Sequence, residues 1–303
     1  MSATAEDLSS RLNRAADAVQ AAERRRQFGY GLAALPGGLL MLGLLIVPMG
    51  WLVFVSLSTA DGISLSHYRA VVTDSSYLSS LWLTVWMATV VTALCIVLGY
   101  VLALAILVMP PAARGLCLML VALPFWTSVL VRTYGWLVLL QNRGVVNKGL
   151  LSLGVIEEPL RMMHNVFGAG VGMFHIMLPF MVFPLVAQMR QIDEAYMRAA
   201  LGLGAPVGYA LRRVFLPLSA PGLAAGAVFV FVLSLGFYIT PALLGGGRTM
   251  TVAIVIERDV NLNRDWGPAA AVSVLFVLVI LLLLALIRRF VPLDRVVGAD
   301  PAT

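Results

Sequence analysis

Charged side chains are scarce in this chain of 303 residues, where Asp, Glu, Lys and Arg together make up 12%. That is about half of their share in an ordinary globular domain. Hydrophobic residues account for 60% of the chain. This composition excludes a soluble globular protein, and it also excludes a disordered chain, which needs low hydrophobicity.

Acidic residues are missing from two long stretches. No Asp or Glu lies between Asp74 and Glu157, and none lies between Glu194 and Glu257. Carriers coupled to protons or sodium ions usually need a carboxylate inside the membrane. The absence therefore weighs against a secondary carrier or channel. That class stays open as an alternative, as does a membrane-embedded assembly or sensory protein.

The residue patterns of common catalytic and metal sites are also missing. The chain has two cysteines, Cys95 and Cys117, and both lie in apolar stretches, which predicts packing residues and excludes a disulfide framework. The sequence contains no Gly-rich nucleotide loop, no His-Glu-x-x-His motif and no paired-Cys spacing. We therefore predict no catalytic residue, no metal and no cofactor in this chain. Basic stripes interleaved with aromatics are also lacking, which argues against nucleic acid as a partner.

Long apolar stretches dominate what is present. A helix needs about 20 apolar residues to cross a hydrocarbon core of about 30 Å, and helices satisfy their own backbone polar groups in lipid. The stretches contain one charged residue, Arg132, and one histidine, His175. The pattern predicts an all-α polytopic membrane protein with six transmembrane helices, at about 29–57, 81–109, 115–140, 167–189, 218–244 and 267–287.

Basic residues predict the orientation of these spans. With the N-terminus inside the cell, 13 of the 21 Lys and Arg residues lie in cytoplasmic segments, and Arg24, Arg25 and Arg26 directly precede the first span. The predicted organisation is a cytoplasmic tail at 1–28, a membrane domain at 29–290 and a second cytoplasmic tail at 291–303. Frequent prolines inside the spans predict either kinked packing or broken helices along a solute path.

The segment 191–217, between spans four and five, has a helix–turn–helix pattern. Helical periodicity runs from Asp193 to Leu203, and Gly204 follows where a helix-ending residue needs positive φ. Pro206 stands at a helix-starting position, so a second helix is expected at 207–215.

The pieces "RAALGLG" and "VFLPLSAPG" of this segment resemble the cytoplasmic coupling loop of ABC-importer permeases. The family signature is Glu-Ala-Ala, three residues, Gly, about nine residues and an Ile-x-Leu-Pro-like end. This chain departs from it with Arg198 in place of the usual Glu and with Gly202 where Asp is common. The resemblance implies that the ATPase contacts are made by Arg198, Ala199, Ala200, Gly204, Ala205, Leu216 and Pro217.

The resemblance covers about residues 30–290, where "LPFWTSVLVRTYGW" and "GFYITPALLGG" are similar to the spermidine/putrescine branch of these permeases. It implies a type I ABC-importer permease in a bacterial inner membrane, paired with a second six-span permease. It also implies two ATPase subunits that carry ATP and Mg²⁺ and grip the coupling loops. A periplasmic binding protein is expected to dock on the outer segments 58–80, 141–165 and 245–267.

Polar and aromatic residues of the middle spans are the candidates for the solute path. The branch implies a polyamine or a related amine- or amino-acid-like solute, which ring faces could bind through cation–π contacts. Arg132 suits an anionic or zwitterionic solute better, although it could instead snorkel outward. His175 could simply hydrogen-bond within the bundle, and Trp136 could be an interfacial anchor. The candidates are Trp126, Thr127, Ser128, Arg132, Tyr134, Trp136, His175, Ser234, Tyr238 and Thr240.

Overall fold

The structure is a computed structural model that describes residues 26, 30, 35–59 and 62–290. The predicted tail 291–303, and all of the tail 1–28 except Arg26, lie outside the described residues. The chain divides into two compact units, Met1–Val55 and Ser56–Thr303. Helix α1, Leu35–Leu57, forms most of the described part of the first unit.

The second unit begins with a small antiparallel hairpin and continues as helices. The hairpin pairs β1 (Ser58–Thr59) with β2 (Gly62–Ile63), and Ser58 lies opposite Ile63. The helices are α2 (Ser66–Thr73), α3 (Ser75–Val108), α4 (Pro111–Ala122), α5 (Val129–Leu140), α6 (Val145–Ser152), α7 (Val166–Met189), α8 (Glu194–Gly202), α9 (Val207–Ala210), α10 (Leu216–Leu235), α11 (Ile239–Leu244), α12 (Val252–Asn261) and α13 (Trp266–Phe290).

Five helices of the described chain are long and apolar enough to cross a membrane. They are α1, α3, α7, the continuous helix Val207–Leu235 and α13. A sixth crossing arises when the bent pair Pro111–Trp126 and Val129–Ser152 counts as one span. The membrane fold predicted from the apolar stretches is therefore confirmed, with differences inside spans three and five.

The third predicted span, 115–140, is not one helix, since its two halves meet at an angle of 104°. A 3-10 turn, Leu123–Trp126, follows α4, and the backbone is extended at Thr127 and Ser128. Pro124 lies inside that turn, where it cannot donate a backbone hydrogen bond. The broken-helix interpretation of the prolines thus holds here, whereas α7 continues through both Pro179 and Pro184.

The fifth span also differs from the prediction. The expected second coupling helix, 207–215, is continuous with the span, and the joint helix ends at Leu235 instead of residue 244. A π-helical turn, Leu211–Phe215, comes directly before Pro217. Proline crowds the preceding turn of a helix, and the wider turn lets the helix continue through it. The chain then breaks at Gly236 before α11.

Helices α3, α7 and α10 pack against one another and form the centre of the second unit. Their shared cluster includes Met87, Cys95, Met177, Met181 and Val230, all buried. The predicted packing role of Cys95 is thereby confirmed. A second cluster joins α12 and α13 to the N-terminal half of α3, so α3 contacts both the bundle core and these two helices.

Side-chain caps fix where α3 and α7 begin. The Asp74 carboxylate accepts a hydrogen bond from the backbone N–H of Ser76 at 2.8 Å. This bond lowers the pKa of the Asp74 carboxyl, because it favours the charged form. Asn165 caps α7 in the same way, accepting from the backbone N–H of Gly168 at 2.9 Å. The starts of α3 and α7 both follow the preference for Asp and Asn at helix N-caps.

Candidate functional site

The coupling segment 191–217 contains a helix end of the Schellman type. The carboxylate of Asp193 caps the start of α8 through the backbone N–H of Ala195 at 2.8 Å. At the other end, the N–H of Ala205 donates to the carbonyl of Ala200 at 3.1 Å, and the N–H of Gly204 donates to that of Leu201 at 3.0 Å. These two bonds satisfy the carbonyls that an α-helix leaves free.

Gly204 has φ +83°, so the predicted positive φ is confirmed. Only glycine adopts this backbone conformation without cost. A Cβ atom added here would meet no atom within 4 Å, and the residue is exposed. The turn therefore needs glycine for its backbone conformation and leaves an open surface in front of it.

The other predicted coupling residues lie on α8 and at the start of α10. Arg198 and Ala199 are exposed on α8, whereas Ala200 and Ala205 are half-buried. Leu216 and Pro217 are exposed after the π-helical turn, against which α8 packs. Arg198 forms an i,i+4 ion pair with Glu194 at 3.1 Å. The residue that departs from the family signature thus has a partner on its own helix.

A polar cluster occupies the contact between α5 and α7. The indole N–H of Trp136 donates to Nδ1 of His175 at 3.1 Å, and the two rings meet edge to face at 5.6 Å. Since an indole nitrogen can only donate, Nδ1 of His175 is the acceptor in this contact. The predicted bundle hydrogen bond of His175 is confirmed.

Arg132 and a pair of threonines are further polar residues of α5 and α11. Arg132 lies near His175, and its buried Nε has no hydrogen-bond partner within the described part of the chain. One residue further along α5, the hydroxyl of Thr133 hydrogen-bonds that of Thr240 on α11 at 3.1 Å. Both threonines are buried. The guanidinium of Arg132 is therefore the charged group beside His175 that a solute could meet, whereas the two buried hydroxyls bond each other and join α5 to α11.

The remaining solute-path candidates do not converge on this cluster. Trp126, Tyr134 and Tyr238 have exposed fractions of 81%, 56% and 37%. Within the described residues, no hydrogen bond or ring contact joins these three rings to one another. Their faces are free for a solute or for a partner subunit.

The other three candidates are small hydroxyl residues at the breaks in spans three and five. Thr127 and Ser128 form the extended break after the 3-10 turn, and the Thr127 hydroxyl donates to the carbonyl of Pro124 at 3.1 Å. Ser234 is buried one residue before α10 ends, and its hydroxyl lacks a hydrogen-bond partner.

A second polar site, which the sequence reasoning missed, lies at the opposite end of α7 from the coupling segment. It is an open cavity of about 660 Å³, called the outer cavity below. The sequence indicates this site only through basic residues in the predicted outer segments, where the positive-inside rule expects few. The lining residues are Gln141, Asn142, Arg143, Arg161, Met163, His164, Asn165 and Arg248. Among the described residues, no group of His, Cys, Asp or Glu could hold a metal ion.

Two curated relatives match most of this chain. The spermidine/putrescine transport system permease protein PotB of Haemophilus influenzae is 32% identical over 263 residues, covering 84% of this chain and 92% of that protein. The protein of the same name from Escherichia coli K12 is 35% identical over 216 residues, covering 71% of this chain and 78% of that protein.

The fold has a counterpart among solved structures. A chain in the crystal structure of a bacterial ABC transporter involved in the import of the acidic polysaccharide alginate superposes with a TM-score of 0.74, covering 88% of this chain and 96% of that one. At 18% identity this likeness concerns the fold alone. Residues 102–295 match the family described as binding-protein-dependent transport system inner membrane component. The chain belongs to this family, and it is a multi-pass permease subunit of an ABC importer in the bacterial inner membrane.

Proposed function

We propose that this permease carries a polyamine, or a related amine- or amino-acid-like compound, that a periplasmic binding protein delivers. The observation that supports this solute class most strongly is the 32% identity to a spermidine/putrescine permease over most of both chains. The exposed rings of Trp126, Tyr134 and Tyr238 agree with it, because ring faces attract ammonium groups.

The importer has further subunits in this proposal. Two ATPase subunits bind ATP and Mg²⁺, and one of them grips the coupling segment 191–217 of this chain. A second, different six-span permease completes the path across the membrane. ATP binding draws the ATPases together, moves the coupling segments and shifts the permeases from an inward-facing to an outward-facing population. This chain contributes binding and movement, and the ATPases carry out the hydrolysis.

Uptake measurements test the proposed solute. We expect cells that rely on this importer to take up labelled putrescine or spermidine, and the double variant Trp126→Ala/Tyr238→Ala to reduce that uptake by about tenfold, since each cation–π contact contributes on the order of 1 kcal/mol. Trp82→Ala is the matched control, because Trp82 is an exposed tryptophan of α3 outside the proposed path. Undiminished polyamine uptake by the double variant would refute the aromatic lining.

The second candidate is an anionic or zwitterionic solute, and Arg132 favours it. Arg132 is the one charged residue in the predicted spans, and its Nε has no hydrogen-bond partner among the residues that the structure describes. A guanidinium binds a carboxylate or phosphonate through two parallel hydrogen bonds. In a parallel uptake panel, loss of anion or amino-acid uptake in Arg132→Gln, with a partial loss in Arg132→Lys, which keeps the charge but not the two parallel hydrogen bonds, would establish this candidate over the polyamine.

We also propose that both termini are cytoplasmic. Single cysteines at Ser2 and Thr303, in a background with Cys95 and Cys117 replaced by alanine, should react with a membrane-impermeant maleimide only after the membrane is permeabilised. A cysteine at Ser66, in the predicted outer segment before α3, is the control that should react in intact cells. Labelling of either terminus in intact cells would reverse or abolish the proposed topology.

A further inference from the structure

Another cavity lies where the coupling segment joins the helix bundle. Its volume is about 240 Å³, and it is called the coupling cavity below. The end of α3, the start of α4, the end of α7 and the start of α8 all contribute to its lining. Its charged lining residues are Arg114, Arg190, Asp193 and Glu194. The cavity therefore separates the segment that receives the ATPase in the proposed function from the helices that cross the membrane.

An apolar cluster forms one wall of the coupling cavity and attaches the coupling segment to the bundle. Met189 and Phe215 line the cavity and are buried in a cluster with residues of α3 and α7. Ile192 and Met197 of the coupling segment pack against this cluster. Because close-packed side chains transmit displacement, a movement of α8 is passed to this wall.

Arg114 fixes the turn between α3 and α4, which forms another part of the cavity. Its Nη2 donates hydrogen bonds to the carbonyls of Leu107 at 2.8 Å and Met109 at 3.1 Å. The last carbonyls of an α-helix have no partner within the helix, and a cation is favourable at that end. One side chain thus ties the start of α4 to the end of α3.

Arg114 also has one hydrogen-bond donor to spare. Its Nε is buried and has no hydrogen-bond partner among the described residues. Within the same part of the chain, Arg114 forms no ion pair, although two acidic residues line the cavity with it. A buried donor without an acceptor costs free energy. The described arrangement is therefore one that a small movement of an acid toward Arg114 would stabilise.

Asp193 is the better placed of the two acids. Glu194 already pairs with Arg198 at 3.1 Å. Asp193 uses Oδ1 to cap α8 through the backbone N–H of Ala195 at 2.8 Å, and its second carboxylate oxygen can accept from another donor. Since the cap holds this carboxylate at the first turn of α8, it moves with the coupling segment.

We propose that Arg114 is a positioning residue for the coupling movement, and that Asp193 becomes its ion-pair partner when ATP binding moves the coupling segment. The pair is open in the described structure, and the coupling cavity is the space that closes when it forms. An ion pair present in only one of two states shifts the equilibrium toward that state. This inference rests on the proposed function, because it names a contact inside the permease that transmits the movement of the ATPases.

The number of solute molecules imported per ATP hydrolysed measures this role. The complete importer is reconstituted in proteoliposomes with its binding protein and labelled putrescine. Asp193→Asn removes the charge but keeps a good N-cap residue, and we expect it to lower the ratio by about fivefold, at the low end of coupling factors. Arg114→Gln should lower it similarly, whereas Arg114→Lys, which keeps a charge and three donors, should retain most of it.

Spin labels provide a second measurement, which needs no solute. Cysteines for the labels replace Ala112 on α4 and Gln191 at the start of the coupling segment, both exposed, in a background with Cys95 and Cys117 replaced by alanine. The distance between the labels should shorten when ATP binds to an ATPase variant that cannot hydrolyse it. Asp193→Asn should reduce the population of the short distance.

Arg190→Gln is the matched control for both measurements. Arg190 is exposed and lines the same cavity, but it is not the proposed partner of Asp193, so its replacement should leave the import ratio and the short distance in place. An equal loss in Arg190→Gln would assign the pair to Arg190 and overturn the inference.

Two further results would overturn it: a label distance that does not respond to ATP, or an unchanged import ratio in Asp193→Asn and Arg114→Gln. If these variants only lower the amount of assembled importer, the ratio stays unchanged and Arg114 has a structural role alone. A failure of the proposed function looks different, because the wild type would then neither co-purify with an ATPase nor respond to a loaded binding protein. If the wild type does not import putrescine, the label distances still decide.

Discussion

Gly204→Val is expected to reach the membrane at the wild-type level and to lose solute-stimulated ATP hydrolysis. A β-branched residue at φ +83° costs on the order of 1–2 kcal/mol of backbone strain, which opposes the Schellman turn. An added Cβ atom meets no described atom within 4 Å, and the valine side chain would extend into the surface on which an ATPase subunit is proposed to dock. Membrane fractionation measures the amount of the variant in the membrane, and co-purification measures its association with the ATPase. Assays in proteoliposomes measure solute-stimulated ATP hydrolysis.

Two control variants separate the causes of that loss. Asparagine tolerates positive φ better than valine, so Gly204→Asn keeps the turn while adding a side chain to the surface. Retained coupling in Gly204→Asn assigns the loss to the turn, and impaired coupling assigns it to the contact surface. Normal transport by Gly204→Val would remove the coupling assignment of 191–217.

The charge at Arg198 needs a paired design because Glu194 lies 3.1 Å from it. Arg198→Glu alone would place two acids at i,i+4, where they repel. The exchange Glu194→Arg/Arg198→Glu keeps the pair and restores the acid that is usual in the family signature. Impaired ATPase association in the exchange variant would indicate that Arg198 pairs with an acid of its own ATPase.

Asp259→Ala is the second substitution with a large expected effect, here on stability. Asp259 is 2% exposed and accepts hydrogen bonds from the Tyr77 hydroxyl and from the amide of Asn263, both at 2.9 Å. Arg258 approaches the carboxylate to 3.7 Å. The truncation leaves these donors without their acceptor, which costs on the order of 3 kcal/mol. Thermal unfolding of the detergent-purified protein should show a clear fall in the midpoint.

Two further substitutions set the scale of this effect. Glu158→Ala removes an exposed carboxylate from a segment between helices and should change stability by less than about 0.5 kcal/mol. Tyr77→Phe removes one hydrogen bond and should have an intermediate effect. Equal midpoints for Asp259→Ala and Glu158→Ala would show that the buried network does not hold α12 against α3.

The features that the sequence predicted well depend on local composition or on one residue's backbone. Apolar length alone identified the spans, because lipid excludes unpaired backbone groups. Gly204 was predictable because positive φ at a helix end strongly favours glycine. The break of span three and the continuity of Val207–Leu235 were not predictable. Pro124 lies at a break whereas Pro217 lies inside a continuous helix, and only the surroundings of the two prolines distinguish them.

The contacts within the sites depend on residues far apart in the chain. Thr133 meets Thr240 across 107 positions, and Trp136 meets His175 across 39. The arginines of the outer cavity come from three separate places, Arg143, Arg161 and Arg248, and each alone resembles an ordinary loop residue. Without the packing of α5, α7 and α11, the sequence gives no distance between any of these side chains.

The unbroken helix Val207–Leu235 has a mechanical consequence. With 29 residues it is about 44 Å long, and its two ends adjoin the coupling turn at Gly204 and the break before Tyr238. A rigid rod of that length, pivoting at one end, displaces the other by nearly 0.8 Å for each degree of tilt. Rotation by ten degrees about the end near Gly204 thus moves Leu235 through about 8 Å, more than the width of an aromatic ring. The helix can bend at the π-helical turn and at Pro221, and such bending would reduce this displacement.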